Sequence, residues 1–200
     1  LGIGHFFRAH QAWYTARASD ASQWGIAAFT GRSPRMAEIL TAQDGLYTLV
    51  ERGPVSDTVE VIDSIVEARA GTDTERLVEL LRNPDLAVVT LTITEKGYCL
   101  SADGVDLAHP DIVHDLASPE TPVSAPRSAI GWLVAGLRAR RDRGFEPFTV
   151  LSCDNLADNG GRLRRAVLQF AAQLDPRLAD WIETGVAFPR SMVDSITPAS

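Results

Sequence analysis

Lysine is almost absent from this chain: Lys96 stands alone among 19 Lys and Arg residues, and the rest are arginine. Basic charge as a whole is outweighed by 26 Asp and Glu, leaving a net charge of -7. A chain without a basic face has no general affinity for nucleic acid or anionic membrane, so neither is expected as a partner. Cysteine is scarce too. Cys99 and Cys153 have no CxxC spacing and no histidine cluster beside them. This argues against a disulfide scaffold or a zinc site and makes a reducing cytoplasm the default. No run approaches the roughly 20 apolar residues of a membrane span, and the N-terminus as given shows no signal peptide. No low-complexity stretch or fixed-period repeat is visible. His5, His10, His109 and His114 are scattered. In "AHPDIVHDLASPETP", His109 and His114 lie near Asp111 and Asp115, but the segment reads as a Pro-rich surface loop with a short helical turn. No metal is expected.

What is present fits one ordinary globular domain, or one domain with a small attachment: 200 residues, 45% of them hydrophobic. Short β-rich runs alternate with helical patterns. "WGIAAFT" (24–30) reads as a buried strand, and "PRMAEILTAQ" after it has helical spacing. "LYTLVER" and "TVEVIDSIVEAR", separated by "GPVSD", read as an antiparallel hairpin. "DTERLVELLRN" (73–83) reads as a helix with Thr72 or Asp73 at its N-cap. "LAVVTLTI" (86–93) is the strongest strand, apolar on both faces as in a parallel sheet covered on both sides. "SAIGWLVAGLRARRDRG" (128–144) reads as a long amphipathic helix closed by Gly144, with "LRARRDR" as its solvated face. "FTVLSC" (148–153) is a further buried strand, and Asn155 to Gly161 form a turn into another helix. Asn159 and Gly160 are expected to shape that turn through their tolerance of positive φ. The alternation predicts an α/β fold: a doubly wound, mostly parallel sheet with helices on both faces and a small antiparallel hairpin.

The chain opens "LGIGHFFRAH". Gly2 and Gly4 match the first two glycines of G-x-G-x-x-G, in which glycine lets the backbone approach a pyrophosphate and a helix N-terminus supplies N–H groups to it. Phe7 occupies the third glycine's place. Taken alone, the stretch is compatible with a phosphate turn or with a plain loop. Four further stretches add to it: "TAQDGLYTLVER" (41–52), "TLTITEKGYCL" (90–100), "VLSCDNLADNGGRLR" (150–164) and "FPRSMVDSITP" (188–198). In this order, and together with the opening, they resemble the mannitol dehydrogenase family, the polyol-specific long-chain dehydrogenases that include fructuronate and tagaturonate reductases.

The resemblance implies an NAD- or NADP-binding Rossmann-type domain over residues 1–187. Residues 188–200 then form a junction toward a C-terminal helical domain, absent here, that carries the catalytic lysine in a K-x5-N-x2-H motif. It implies hydride transfer between the nicotinamide cofactor and a polyol, ketose or sugar acid (hexuronate), with a fructuronate-reductase-like member as the alternative. It also implies that these 200 residues turn over nothing alone, and that the whole protein is a cytoplasmic monomer. A non-catalytic dinucleotide-sensing module is the rival from another class.

On this resemblance Gly2, Ile3 and Gly4 form the pyrophosphate turn, and Phe6 or Phe7 lies against the cofactor. For Phe6 and Phe7 the alternative is plain core packing. Arg8 pairs with phosphate or with an acidic neighbour, and His10 is a structural hydrogen-bonding residue. NAD enzymes usually hold the ribose 2′-OH with an acid after the second strand, whereas an Arg suits a 2′-phosphate. Here the text is "FTGRSP" (29–34), with no acid between Gly25 and Glu38, so Arg32 with Ser33 suits a 2′-phosphate, the alternatives for Arg32 being a stack over adenine or a solvated loop position, and NADP is expected to be tolerated. Thr92, Thr94 and Glu95 follow the strongest strand and are assigned to the nicotinamide side. Lys96 is not the base, which the resemblance places in the absent domain. Asn155 matches the family asparagine that assists the lysine by stabilising charge on the carbonyl oxygen; Asp154 orients the loop.

Overall fold

The computed structural model describes residues 1–31, 33–117, 125–193 and 197. The chain divides into two compact units, Leu1–Asp73 with Thr197, and Thr74–Val193.

In the first unit, β1 (Ile26–Phe29) runs parallel to β4 (Ile65–Arg69), with Ile26 opposite Ile65 and Ala28 opposite Ala68. The Gly2 N–H donates to the Phe29 carbonyl at 2.8 Å, which brings the opening residues to the C-terminal end of β1. From there the chain enters a π-helical turn, Phe7–Ala12, which continues as the short helix α1 (Trp13–Ala16). Helix α2 (Arg35–Ala42) follows the loop after β1. These elements close over one apolar cluster that includes Ile3, Phe7, Ala12, Leu40, Ile62 and Ile65. Burying such side chains contributes about 25 cal/mol per Å² of apolar surface.

The hairpin forms as expected: β2 (Tyr47–Arg52) pairs antiparallel with β3 (Asp57–Ile62). The run "TVEVIDSIVEAR" nevertheless makes two strands instead of one, because β3 ends at Ile62 and β4 leaves the hairpin to join β1. Ser64 makes the break. It is buried, its hydroxyl donates to the Ala12 carbonyl at 2.7 Å, and its carbonyl accepts the Ile26 N–H at 2.9 Å. The break falls at Asp63 and Ser64, two turn-forming residues inside an otherwise β-rich run. Gly45 permits the entry into the hairpin. Its φ is +80°, and a Cβ there would lie 1.9 Å from the Ile65 carbonyl oxygen.

The second unit begins with α3 (Thr74–Leu81), on the expected helical pattern. Strand β5 (Val88–Leu91) runs parallel to β8 (Thr149–Ser152), with Leu91 opposite Ser152. β5 is shorter than the apolar run 86–93 that announces it. Between them lies a small hairpin that the sequence pattern does not reveal, β6 (Leu100–Ser101) with β7 (Gly104–Val105). Helix α4 (Pro110–Ala117) precedes α5 (Ala129–Arg141), whose N-cap Ser128 accepts the Gly131 N–H at 2.9 Å. α6 (Asn159–Leu174) and α7 (Pro176–Gly185) complete the unit.

Helix α5 is buried beyond the one face its spacing suggests, since Gly131, Trp132 and Gly136 are buried as well. Ile130, Leu133, Val134 and Leu137 are all fully buried. The stretch "LRARRDR" is not simply a solvated face, because Arg140 is buried at 2% exposure. Its guanidinium donates to the carbonyls of Glu146, Asn83, Leu86 and Pro84, at 2.6–3.1 Å, and lies 5.6 Å from the Phe148 ring centroid. Arginine's planar fork of five donors permits such multiple capping, which a charge-pattern reading misses.

Candidate functional site

In the first unit, the opening turn separates two kinds of residue. Ile3 and Phe7 are buried at 5% and 3% and belong to the apolar cluster. Ile3 can therefore offer a ligand only its main chain, and Phe7 is committed to the core instead of a cofactor. Phe6 is half-buried, its ring 4.7 Å from that of His10. Gly4 is exposed, and a Cβ added there would meet nothing within 4 Å. Gly2 has φ 103°, a conformation that favours glycine.

Arg8 is half-buried and turns back over this turn, donating to the Ile3 carbonyl at 3.2 Å and approaching His5 Nδ1 at 3.3 Å. It has no acidic partner among the described residues. Burial lowers its pKa, against the opposing influence of Tyr47. Tyr47 in turn donates its hydroxyl to the Arg8 carbonyl, and burial raises its phenol to about 12. The His10 Nε2 lies 3.2 Å from the Thr197 hydroxyl, a structural hydrogen bond of the kind expected for it.

The C-terminal ends of β1 and β4 come close together. The Thr30 hydroxyl accepts the Gly71 N–H at 3.1 Å, and a Cβ on Gly71 would lie 2.3 Å from the Thr30 carbonyl oxygen. Gly71 is a close-approach glycine that the sequence reading did not single out. Arg32 lies outside the described residues. Ser33 is exposed, and its hydroxyl is 3.4 Å from the Arg35 N–H.

In the second unit, Thr92 is half-buried beyond β5, Thr94 is exposed, and Glu95 and Lys96 lie exposed on a 3-10 turn, Glu95–Tyr98. Tyr98 closes that turn and is buried at 1%. Its hydroxyl meets the Ser152 hydroxyl at 2.8 Å, and Ser152 donates to Asp154 Oδ2 at 2.7 Å. Burial pushes the Tyr98 phenol well above its ordinary range. Asp154 also accepts the Leu156 N–H at 3.0 Å, so it orients the loop as expected. Asn155 is exposed, with no side-chain hydrogen bond among the described residues.

Asn159 and Gly160 do not shape the turn through positive φ. That conformation belongs to Asp158, at φ 56°. Asn159 is buried at 2%; its Nδ2 donates to the Asp154 carbonyl (3.2 Å), the Ser191 carbonyl (3.1 Å) and the Ser191 hydroxyl (2.9 Å). Gly160 is required by crowding, since a Cβ there would lie 2.5 Å from the Pro189 carbonyl oxygen. Tyr98, Ser152 and Ser191 were thus missed. Each sits inside a stretch that carries the family resemblance, and a hydroxyl there has no chemistry of its own to mark it.

The region of His109 and His114 is also more than a surface loop. The Asp115 carboxylate is buried and accepts from the N–H groups of Arg127 and Ser128, from the Ser128 hydroxyl, and from His114 Nδ1. Ligand atoms of Cys99, His109 and Asp111 lie within 4.8 Å of one another. His109 Nδ1, however, already accepts the Asp111 N–H at 3.2 Å, and burial followed by the nearby carboxylates raises the Cys99 thiol pKa.

Comparison with known proteins agrees with this geometry. D-mannonate oxidoreductase of Escherichia coli (strain K12) is 44% identical over 209 residues, covering 100% of this chain and 42% of that protein. Mannitol 2-dehydrogenase of Cereibacter sphaeroides is 42% identical over 207 residues, covering 100% of this chain and 43% of that protein. This chain thus spans about two fifths of the length of these curated relatives. A solved structure of Pseudomonas fluorescens mannitol 2-dehydrogenase, a ternary complex with NAD and D-mannitol, superposes with a TM-score of 0.84 at 39% identity. That match covers 94% of this chain and 39% of the other, so the Rossmann-type α/β architecture is shared. A family model described as the mannitol dehydrogenase Rossmann domain matches residues 1–200, and the chain belongs to that family.

Proposed function

We propose that this chain is the nicotinamide-cofactor-binding part of an oxidoreductase that moves a hydride between NAD(P) and a secondary alcohol of a polyol or sugar acid. The observation that carries the reading is the turn after β8. Asn155 is exposed and unengaged there, in a chain 39% identical to an enzyme solved with NAD and D-mannitol.

The first unit holds the residues assigned to the adenosine and phosphate end of the cofactor. Gly4 leaves open space that a side chain would fill, as a close main-chain approach to pyrophosphate requires. The N–H groups of the opening turn, together with Arg8, supply positive character there. Ser33 and Arg32 are assigned to the adenosine ribose. With no acid between Gly25 and Glu38 to repel a 2′-phosphate, NADP is accepted alongside NAD. Thr92, Thr94 and Glu95 of the second unit are assigned to the nicotinamide side.

The cofactor, when bound, supplies the hydride acceptor or donor. The Asn155 amide donates to the carbonyl oxygen and stabilises the negative charge that develops on it. A lysine outside these 200 residues exchanges the proton, and the whole protein works as a cytoplasmic monomer. The test is a panel of polyols, ketoses and hexuronates on the full-length protein with both cofactors. The expected result is turnover with at least one of them, lost about 100-fold or more in Asn155→Ala. No turnover on any would refute the reading. The 200-residue chain alone is expected to bind cofactor weakly and turn over nothing. NAD binding far tighter than NADP, unchanged in Arg32→Ala, would refute the assignment of Arg32.

A further inference from the structure

The turn after β8 divides its hydrogen bonds unevenly among three neighbouring polar side chains. Asn and Asp in turns ordinarily bond back to adjacent main chain. Asp154 performs that service here, with Oδ1 accepting the Leu156 N–H and Oδ2 accepting the Ser152 hydroxyl. Asn159 takes the Asp154 carbonyl, while its own Oδ1 accepts the N–H groups of Gly160 at 2.8 Å and Ser191 at 3.1 Å. Asn155, between them, is left with its full hydrogen-bonding capacity facing solvent.

Behind Asp154 runs a chain of hydroxyls with a fixed direction. An ionised carboxylate only accepts, so the Ser152 hydroxyl hydrogen points at Asp154. The Ser152 oxygen therefore accepts from the Tyr98 hydroxyl, 2.8 Å away. The Ser152 carbonyl accepts from the Ser191 hydroxyl and, at 3.4 Å, from Asn159 Nδ2. No buried side-chain polar atom is left without a partner among the described residues. A fully satisfied buried network of this kind is rigid.

We propose that Asp154 is a positioning residue for Asn155: held by Ser152 and Tyr98, it satisfies the turn so that the Asn155 amide stays off the main chain and is presented to the substrate carbonyl. This rests on the reading of Asn155 as the oxyanion donor. Asp154→Asn tests the direction of the chain. The new amide oxygen can still accept the Leu156 N–H, but its NH2 group would donate to the Ser152 oxygen. That oxygen already accepts from Tyr98, so the Ser152 hydroxyl hydrogen loses its acceptor. The turn then has a reason to recruit Asn155 as a replacement.

The experiment compares Asp154→Asn, Tyr98→Phe, Asn155→Ala and the two doubles with Asn155→Ala, all in the full-length protein. kcat, the cofactor dissociation constant by fluorescence titration and the thermal midpoint are measured for each. Asp154→Asn is expected to lower kcat about 10- to 100-fold while cofactor affinity stays within about twofold. Tyr98→Phe should lower it less. Each double should match Asn155→Ala alone within about twofold, since both changes act through one amide. A crystal structure of Asp154→Asn should place the Asn155 amide against the main chain of its own turn. Full multiplication of the two effects in the doubles would overturn the proposal, as would wild-type kcat in Asp154→Asn. Wild-type kcat in Asn155→Ala would instead sink the oxyanion reading, and the positioning role with it. If Asp154→Asn fails to fold, Tyr98→Phe and its double carry the same comparison.

Discussion

Arg140 donates to the carbonyl of Asn83 at 2.8 Å, across 57 residues of sequence. The same guanidinium reaches the carbonyls of Pro84 and Leu86, so one side chain closes the turn between α3 and β5 from inside. Burial lowers its pKa, yet an arginine stays charged.

Arg140→Met removes every one of these donors from four main-chain carbonyls, carried by the exposed residues Asn83, Pro84 and Glu146 and the half-buried Leu86. Water reaches this segment and replaces part of what is lost, so each carbonyl costs well below the roughly 1–3 kcal/mol of a fully buried unpaired one. We expect a total near 3 kcal/mol, a fall in the melting midpoint of roughly 6–12 °C. Arg140→Lys should fall between wild type and Arg140→Met, because one ammonium cannot span carbonyls spread along two segments. Calorimetry on the three proteins checks this, and a Met variant as stable as wild type would contradict the capping role.

Much of this architecture was legible before the structure. The parallel strands, the hairpin and the helix after "SCDN" all follow from hydrophobic period and turn residues, which report local preference. What stayed hidden was non-local. Nothing in "LRARRDR" marks Arg140 as the arginine to which the fold delivers the carbonyls of Asn83, Pro84 and Leu86. Ser64 is fixed at the break between two strands by a bond to Ala12, 52 residues away. At the candidate site, Asn155 and Asp154 stand out in the sequence by residue type alone. The hydroxyls of Tyr98, Ser152 and Ser191 do not, since a Tyr or Ser gains a role only from its partners.

Two glycines should separate folding from binding. Gly4→Ala places its Cβ in open space, so stability should change by no more than about 0.5 kcal/mol, while cofactor affinity should fall about tenfold or more. Gly71→Ala drives its Cβ against the Thr30 carbonyl, with 2.3 Å between them. That variant should lose stability as well as affinity. Thermal midpoints and cofactor titrations on both variants decide the matter. Unchanged affinity in Gly4→Ala would remove that residue from the phosphate turn.

Gly160→Ala tests a different kind of crowding. Its Cβ would lie 2.5 Å from the Pro189 carbonyl oxygen and 2.7 Å from that of Phe188. Main chain cannot step aside as a side-chain tip can, so the segment 188–191 should detach from the Asn159 carboxamide. Limited proteolysis should then cut at Arg190 faster than in wild type. An unchanged cleavage rate would show that the segment tolerates the added methyl.

Tyr47 gives a pH prediction with a definite sign. Its phenol is raised to about 12, chiefly by burial, with the Arg8 guanidinium pulling the other way. An unfolded chain ionises the same phenol near pH 10. Between pH 10 and 12 the unfolded state therefore loses a proton that the folded state keeps. The stability carried by neutral Tyr47 is complete below pH 10 and drains away as pH rises through 12. Tyr47→Phe cannot ionise, and it also lacks the hydroxyl that donates to the Arg8 carbonyl. It should be less stable than wild type at pH 8, and its stability should fall less steeply from pH 10 to 12. Tyr98, pushed up further, keeps a similar slope in both proteins, so the difference between their denaturation curves isolates Tyr47. Parallel curves across that window would mean that the Tyr47 phenol titrates in the folded protein as it does in the unfolded chain.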